Sequence, residues 1–185
     1  ESLKKLNLSS KEKYVIIRLV SWDASHDIGH KGFTLHILTH LIEKIKNHAR
    51  VFISAENKIP DSLKQYYLSI NPTEIHDILS YASLYIGEGA TMASECAVMG
   101  TPSIYVNSLS AGTLENQEKN GLLSIFKTSD GLIEKAINIL NNSKVKKQTK
   151  QKSQDLIKNK MDLNILFYRL ISGYPDTVNN YINKL

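Results

Sequence analysis

The sequence contains a single cysteine, Cys96, so an internal disulfide bond is excluded. A lone thiol is typical of proteins of the reducing cytoplasm, which is the location we expect. No stretch approaches the roughly 20 consecutive apolar residues that a membrane-spanning helix needs. A basic segment followed by a short apolar one, which would mark a secretory signal, is also missing.

The glycine motifs that identify many nucleotide-binding enzymes are missing as well. The chain has no Gly-x-x-x-x-Gly-Lys-Ser/Thr sequence, which argues against a P-loop. Its first predicted strand is not followed by Gly-x-Gly-x-x-Gly, so a dinucleotide-dependent oxidoreductase is disfavoured. No Gly-x-Ser-x-Gly elbow occurs, and Cys96 lies within a predicted helix, so nucleophilic hydrolysis has no support. We expect no required cofactor.

Positive charge is concentrated at the C-terminal end of the chain. Residues 1–140 hold 14 basic and 15 acidic side chains, whereas residues 141–185 hold 9 and 3. A basic tail can attract phosphates or an acidic membrane surface, although it is more often a solvated helix face. Nucleic-acid binding is not predicted, because no aromatic residues are interleaved with the lysines of the tail between residues 144 and 160. We divide the chain into residues 1–12, a linker or helix from a missing N-terminal half, residues 13–141, an α/β domain, and residues 142–185, basic helices packing on that domain.

Apolar runs rich in β-branched residues alternate with segments of helical periodicity. Strands are predicted over 13–20, 51–54, 67–70, 84–86, 103–106 and 122–126. Helices are predicted over 33–46, 73–82, 129–140, 145–159 and 162–171, with a short one from residue 60 and another from about residue 90. Residues 107–120 are predicted to be a polar loop. This alternation predicts a Rossmann-like parallel sheet with helices on both faces, followed by C-terminal helices.

The most informative stretch runs from Gly87 to Val106, where a glycine turn precedes a helix of small residues. Glycine leaves no Cβ to keep a ligand from the backbone, and the first N–H groups of a helix have no partner within it. An anion such as phosphate can use these groups. Glu95 follows, and its carboxylate could hold both hydroxyls of a ribose; the alternative is an acidic residue favoured by the helix dipole. The candidate binding residues here are Gly87, Glu88, Gly89, Ala90, Thr91, Met92 and Glu95.

A second polar segment, Trp22 to Lys31, follows the first predicted strand. His26 could act as a general acid or base, and Asp27 could orient it or act itself. The alternative is an exposed loop in which Asp23 and Ser25 form turns with their own backbone. No dedicated metal site is predicted, since no second cluster of ligating side chains occurs elsewhere in the sequence.

These two segments are neighbours if the strand order is 3-2-1-4-5, counting the predicted strands along the chain. Ligands of parallel sheets bind at the carboxyl ends of the strands, where the strand order reverses. The site is therefore predicted between Trp22–Lys31 and Gly87–Glu95. His76, in the helix before the fourth predicted strand, could line a base or sugar pocket there, or be a capping or partly buried histidine.

The stretch from Leu84 to Glu95, continuing to Gly100-Thr101-Pro102, resembles the nucleotide-sugar signature in the C-terminal half of GT-B proteins. UDP-N-acetylglucosamine 2-epimerases and the lipid II glucosaminyltransferases carry this arrangement. Together with the segments Arg18–Asp27 and Ile75–Leu79, the stretch is similar to an uncharacterised family, domain-of-unknown-function family three-five-four, which is related to those sugar enzymes. The likeness covers most of residues 14 to 126.

The resemblance implies the nucleotide-sugar-binding half of a GT-B-type glycosyltransferase or sugar-epimerase-like protein, serving surface polysaccharide or glycolipid synthesis. It implies a UDP-sugar ligand, with Glu95 on the ribose, the Gly89–Met92 backbone near the diphosphate, and Ser25 and His76 among the binding residues. His26 and Asp27 occupy the loop where the 2-epimerases place catalytic residues. The alternative is a non-catalytic α/β binding domain whose basic tail docks on a membrane surface or a partner.

Overall fold

The sheet at the centre of the structure is parallel and has five strands within the part of the chain that the structure describes. The computed structural model describes residues 3, 6–9, 12–22, 32–109, 112–158 and 160–183. The strands lie in the order β2-β1-β3-β4-β5, and every neighbouring pair is parallel. They are β1 (Tyr14–Leu19), β2 (Arg50–Ala55), β3 (Leu84–Gly87), β4 (Ser103–Val106) and β5 (Leu123–Phe126). The predicted parallel sheet is therefore confirmed.

Helices connect the strands and continue after the last of them. They are α1 (Leu35–Ile45), α2 (Ile75–Tyr81), α3 (Ala90–Met99), α4 (Gly112–Lys119), α5 (Leu132–Asn141), α6 (Val145–Lys158), α7 (Leu163–Ser172) and α8 (Asp176–Ile182). Two short 3-10 helices, Asp61–Tyr66 and Pro72–Glu74, lie between β2 and α2. Within the described ranges, no helix is both long and apolar enough to cross a membrane.

Both faces of the sheet are buried. Since successive side chains of a strand point to opposite sides, each strand contributes side chains to both faces. In β1, Val15 and Ile17 pack into a core with apolar residues of α1 and α5. On the opposite face, Tyr14 donates its hydroxyl hydrogen bond to the Ile78 carbonyl of α2 at 2.5 Å. Burial on both sides explains why the strands are nearly continuous apolar runs rather than alternating ones.

Three local predictions need correction. Residues 67–70 do not form a strand; only Tyr67 bridges to Ile53, and the chain then enters a 3-10 helix capped by Asn71. Residues 107–120 are not all loop, because α4 begins at Gly112 and buries Leu114. A helix, α8, also follows Pro175, although none was predicted beyond residue 171; proline is tolerated at a helix start.

The chain divides into two compact units, residues 1–154 and residues 155–185. The first unit extends past residue 141 because α6 packs beside α2 and α3. Lys146 Nζ donates to the Ala82 carbonyl at 2.8 Å, and Ser153 Oγ donates to the Val98 carbonyl. The N-terminal segment also belongs to this unit, since Leu6 and Leu8 are buried. The second unit contains α7 and α8.

Candidate functional site

The turn between β3 and α3 lies at the carboxyl edge of the sheet, where the strand order reverses between β1 and β3. β3 ends at Gly87, which is in register with Arg18 of β1. Gly89 is the N-cap of α3 in an extended conformation, and no described side chain caps this end. An N-terminus of this kind offers backbone donors and a partial positive charge to an anion.

The predicted residues of this turn differ in exposure. Gly87 and Glu88 are buried, whereas Thr91 is exposed and Glu95 is half-buried. A Cβ at Gly87 would overlap the Tyr85 hydroxyl, so packing within the sheet, rather than approach of a ligand, requires glycine there. Ligand contact is therefore available to the backbone of residues 89–92 and to the Glu95 side chain.

Two residues that the sequence singled out separately lie together in the structure. His76 Nε2 of α2 is 3.1 Å from Glu95 Oε2 of α3, and the two side chains are 58% and 41% exposed. The pair forms a hydrogen bond, and also an ion pair when the imidazole is protonated. Because both groups face solvent at the predicted edge, either can meet a ligand there.

Glu88, one of the predicted binding residues, has its carboxylate hydrogen-bonded within the protein. Its Oε2 accepts the Val20 N–H at 3.0 Å, and its Oε1 accepts the Phe33 N–H at 2.6 Å. Burial raises the pKa of this carboxyl above its ordinary value, although these amides and the Trp22 side chain, by hydrogen bonding, act to lower it. The Glu88 carboxylate is therefore bound by the protein itself.

A hydrogen-bonded network continues along the same edge to β2. Arg18 donates to Ser54 Oγ at 2.7 Å and forms an ion pair with Glu56, also at 2.7 Å. The other oxygen of Glu56 accepts the Ser21 N–H at 2.9 Å. Partial burial acts to raise the pKa of Glu56, but the bonds from Ser21 and Arg18 prevail and lower it. This network fixes the end of β1.

The opposite side of the turn is braced by β4 and α4. Asn107, buried at the end of β4, donates from Nδ2 to the Glu88 carbonyl at 3.1 Å. Behind α3, Gln117 Nε2 donates to Ser94 Oγ at 2.8 Å. Both contacts hold α3 in place relative to the carboxyl ends of the strands.

The predicted residues Ser25, His26 and Asp27 lie outside the described residues, so their roles stay predictions. Within the described part of the chain, no group of three or more His, Cys, Asp or Glu side chains is placed to hold a metal ion. Cys96 is fully buried, and burial raises the pKa of its thiol, so it is a packed residue rather than a nucleophile.

One known protein family matches most of this chain. The family described as "Protein of unknown function (DUF354)" matches residues 1–169. The chain belongs to the DUF354 family. No curated protein sequence matches this DUF354 chain significantly.

Solved structures share the fold at low sequence identity. A glycotransferase of kitacinnamycin matches with 13% identity and a TM-score of 0.52, over 80% of this chain and 40% of its own. A putative UDP-N-acetylglucosamine 2-epimerase from Listeria monocytogenes matches with 10% identity and a TM-score of 0.54, over 85% and 46%. A variant of the wall teichoic acid polymerase TagF, soaked with CDPG, matches with 17% identity and a TM-score of 0.54, over 85% and 41%.

The DUF354 chain thus spans less than half the length of these structures. The similarity confirms the predicted Rossmann-like fold, which this chain shares with a glycotransferase, a putative 2-epimerase and a wall teichoic acid polymerase. Glu56, Arg18 and Asn107 were not among the predicted site residues. Their position at the ends of β2, β1 and β4 was the available signal, since those ends meet at one edge.

Proposed function

We propose that this chain is the nucleotide-sugar-binding half of a GT-B-type glycosyltransferase or sugar-epimerase-like protein in surface polysaccharide or glycolipid synthesis. The observation that carries the proposal is the juxtaposition, at the β1–β3 switch point, of an uncapped helix N-terminus and the half-exposed carboxylate of Glu95. The first feature suits a diphosphate, and the second suits a ribose. The names of the similar structures, a glycotransferase and a UDP-N-acetylglucosamine 2-epimerase, support this ligand class.

The spacing along α3 fits a ligand that carries phosphates and a sugar on adjacent atoms. Thr91 and Glu95 are four residues apart and therefore share one face of the helix. Ala90 and Glu95 are separated by about 7.5 Å along the helix axis, at the usual rise per residue. A nucleoside diphosphate can therefore contact the amides of residues 90–92 with its phosphates while its ribose hydroxyls reach Glu95.

Glu95 supplies two acceptor oxygens, and each ribose hydroxyl can donate to one of them. His76 already bonds Oε2, so it fixes the carboxylate and can contact the base or the sugar beside it. His26 and Asp27 are proposed as the acid–base residues, in the segment that follows β1. A UDP-sugar is the proposed ligand, and a second α/β half would supply the acceptor site and close the cleft.

Isothermal titration calorimetry with UDP, GDP, CMP and their sugars tests this function. We expect at least one of these ligands to bind the 185-residue chain or the full-length protein. The matched control for each ligand is its own nucleoside, uridine, guanosine or cytidine, which keeps the base and the ribose without the phosphates and should bind more weakly. Because charged hydrogen bonds to phosphate are worth about 1.5 to 3 kcal/mol each, the loss of even one should lower the affinity about tenfold or more.

Two results would refute the proposal. The first is that none of the nucleotides or nucleotide sugars binds either the chain or the full-length protein. The second is binding that is unaffected by changes at Glu95 and at the start of α3, because the ligand would then occupy another surface. Turnover of a nucleotide sugar by the full-length protein, lost in His26→Ala, would add catalysis to binding.

A further inference from the structure

Glu88 is the one charged side chain that is buried among the residues that the structure describes, with 3% of its surface exposed. It lies in the turn between β3 and α3, next to the proposed ligand site. A buried carboxylate is expensive unless hydrogen bonds replace its lost water. Here the replacement donors are two backbone N–H groups and the Trp22 side chain.

The donors come from both sides of one segment of the chain. Val20 and Trp22 precede residues 23–31, and Phe33 follows them. One carboxylate therefore holds the chain where it leaves β1 and again where it returns to α1. The return is fixed further by Thr34, whose Oγ1 caps α1 by accepting the Ile37 N–H at 3.2 Å.

The space around the carboxylate is filled by the same residues. A Cβ at Gly32 would overlap both Glu88 Oε1 and the Trp22 ring, so a larger residue at position 32 would displace the carboxylate. On the other side, the Glu88 carbonyl accepts the Asn107 side-chain amide, and the Glu88 N–H donates to the Arg18 carbonyl at 3.2 Å. Side chain and backbone of Glu88 thus connect the ends of β1, β3 and β4.

Burial raises the pKa of the Glu88 carboxyl despite three donors, so desolvation makes its ionised form less favourable in the native state than in water. A neutral residue would fill the same space without that desolvation cost. The advantage of a carboxylate is that its two oxygens can each accept a backbone N–H, so that one side chain fixes two points of the chain. Glutamine offers only one acceptor oxygen, and its NH₂ group would face the second N–H.

We propose that Glu88 is a positioning residue whose carboxylate fixes the two flanks of residues 23–31 against the turn that starts α3. In this role it holds residues 20–22 and 32–33 beside the start of α3 without contacting the ligand. The positioning role itself is a property of the free protein. Its consequence for ligand affinity rests on the proposed function.

Trp22 gives a direct measurement, because it is the only tryptophan of the chain. Glu88→Gln removes one acceptor, Gly32→Ala displaces the carboxylate without changing its charge, and Glu134→Gln, at an exposed position of α5, is the matched control. In both test variants we expect acrylamide quenching of Trp22 to rise about twofold or more, as local opening exposes the ring. The control should match the wild type.

Amide hydrogen exchange separates this local effect from global unfolding. The Val20 and Phe33 amides should exchange about tenfold faster or more in Glu88→Gln, while the amides of β1 between residues 15 and 18 keep wild-type protection. Unchanged exchange at Val20 and Phe33, with unchanged Trp22 quenching, overturns the proposal. If Glu88→Gln fails to fold, Gly32→Ala decides by the same two measurements.

Titration with a nucleotide sugar measures Kd, which should not change if Glu88 only stabilises the fold. In folded Glu88→Gln, Kd for the bound nucleotide sugar should rise about tenfold, because the site is less preorganised. An unchanged Kd beside faster local exchange overturns the positioning of the ligand site. If the wild type binds no nucleotide sugar, the proposed function fails, whereas the exchange and fluorescence results still decide the role of Glu88.

Discussion

Replacing Glu95 with alanine separates ligand binding from stability more clearly than any other change at this site. The carboxylate is 41% exposed, and its one recorded partner among the described residues is His76, itself 58% exposed. Exposed ion pairs contribute about 0 to 1 kcal/mol to stability. The free energy of unfolding of Glu95→Ala should therefore lie within about 1 kcal/mol of the wild type.

Binding should respond far more strongly. If the carboxylate accepts two ribose hydroxyls, alanine removes hydrogen bonds to a charged group, worth about 1.5 to 3 kcal/mol. Kd of the nucleotide sugar should rise roughly 10- to 150-fold. Calorimetry on Glu95→Ala, Glu95→Gln and the control Glu134→Ala measures this, and glutamine should give an intermediate loss because it retains one acceptor oxygen.

A double-mutant cycle with His76→Ala then assigns the effect. If His76 acts only by orienting Glu95, its removal should cost little once Glu95 is already alanine. If His76 contacts the ligand itself, the two losses should add. An affinity of Glu95→Ala equal to that of Glu134→Ala would refute the reasoning, because the carboxylate would then have no contact with the ligand.

Three further predictions concern stability and are measured by urea unfolding. The pKa of Glu88 is higher in the native state than the unfolded value of 4.5, so the protonated carboxyl stabilises the native state below pH 4.5 and this contribution is lost as pH rises through the native pKa. Over that range the free energy of unfolding of the wild type should fall relative to that of Glu88→Gln. A difference between the two that does not change with pH would contradict this. Gly100→Ala should cost about 2 kcal/mol or more, since φ is 79° and a Cβ would lie 2.6 Å from Lys150 Cα, whereas Gly112→Ala, with open space, should be near neutral; equal effects would count against the α3–α6 packing. Burial lowers the pKa of Lys146 to about 8. The free energy of unfolding of the wild type should therefore rise relative to that of Lys146→Met as pH rises from about 8 to 10.5, and a fall over this range would contradict the prediction.

The sheet could be predicted from the sequence because its strands are buried on both faces. Runs such as residues 14–17 and 84–86 are apolar without interruption. They alternate with amphipathic helices, which predicts a parallel topology. α4 was missed because only Leu114 and Gln117 of its residues are buried, so its sequence is polar nearly throughout. Periodicity carries little signal when one apolar side chain anchors a helix.

The sequence predicted that the ends of β1 and β3 are neighbours, but not the contacts between the segments that follow them. Alternating strands and helices place the ends of β1 and β3 together, and that alone brings two polar segments to one edge. Whether a carboxylate there is buried depends on distances between segments far apart in the chain. Val20 and Phe33 bond to Glu88 across 68 and 55 positions, and no local pattern encodes such a pairing.

Glu88 and Glu95 show how burial decides the role of a residue type that sequence alone cannot separate. They lie seven positions apart around the same turn. Glu88 is buried, and both of its oxygens accept backbone N–H groups, so no acceptor faces outward for a ligand. Glu95 is half-exposed, and among the described residues only His76 bonds to it, at one oxygen. The two residues therefore have different effects when they are replaced. Glu88→Ala should release Val20 and Phe33 from the turn, whereas Glu95→Ala should leave them in place. Faster exchange at Val20 in Glu95→Ala would contradict this division, since the change would then reach the buried carboxylate.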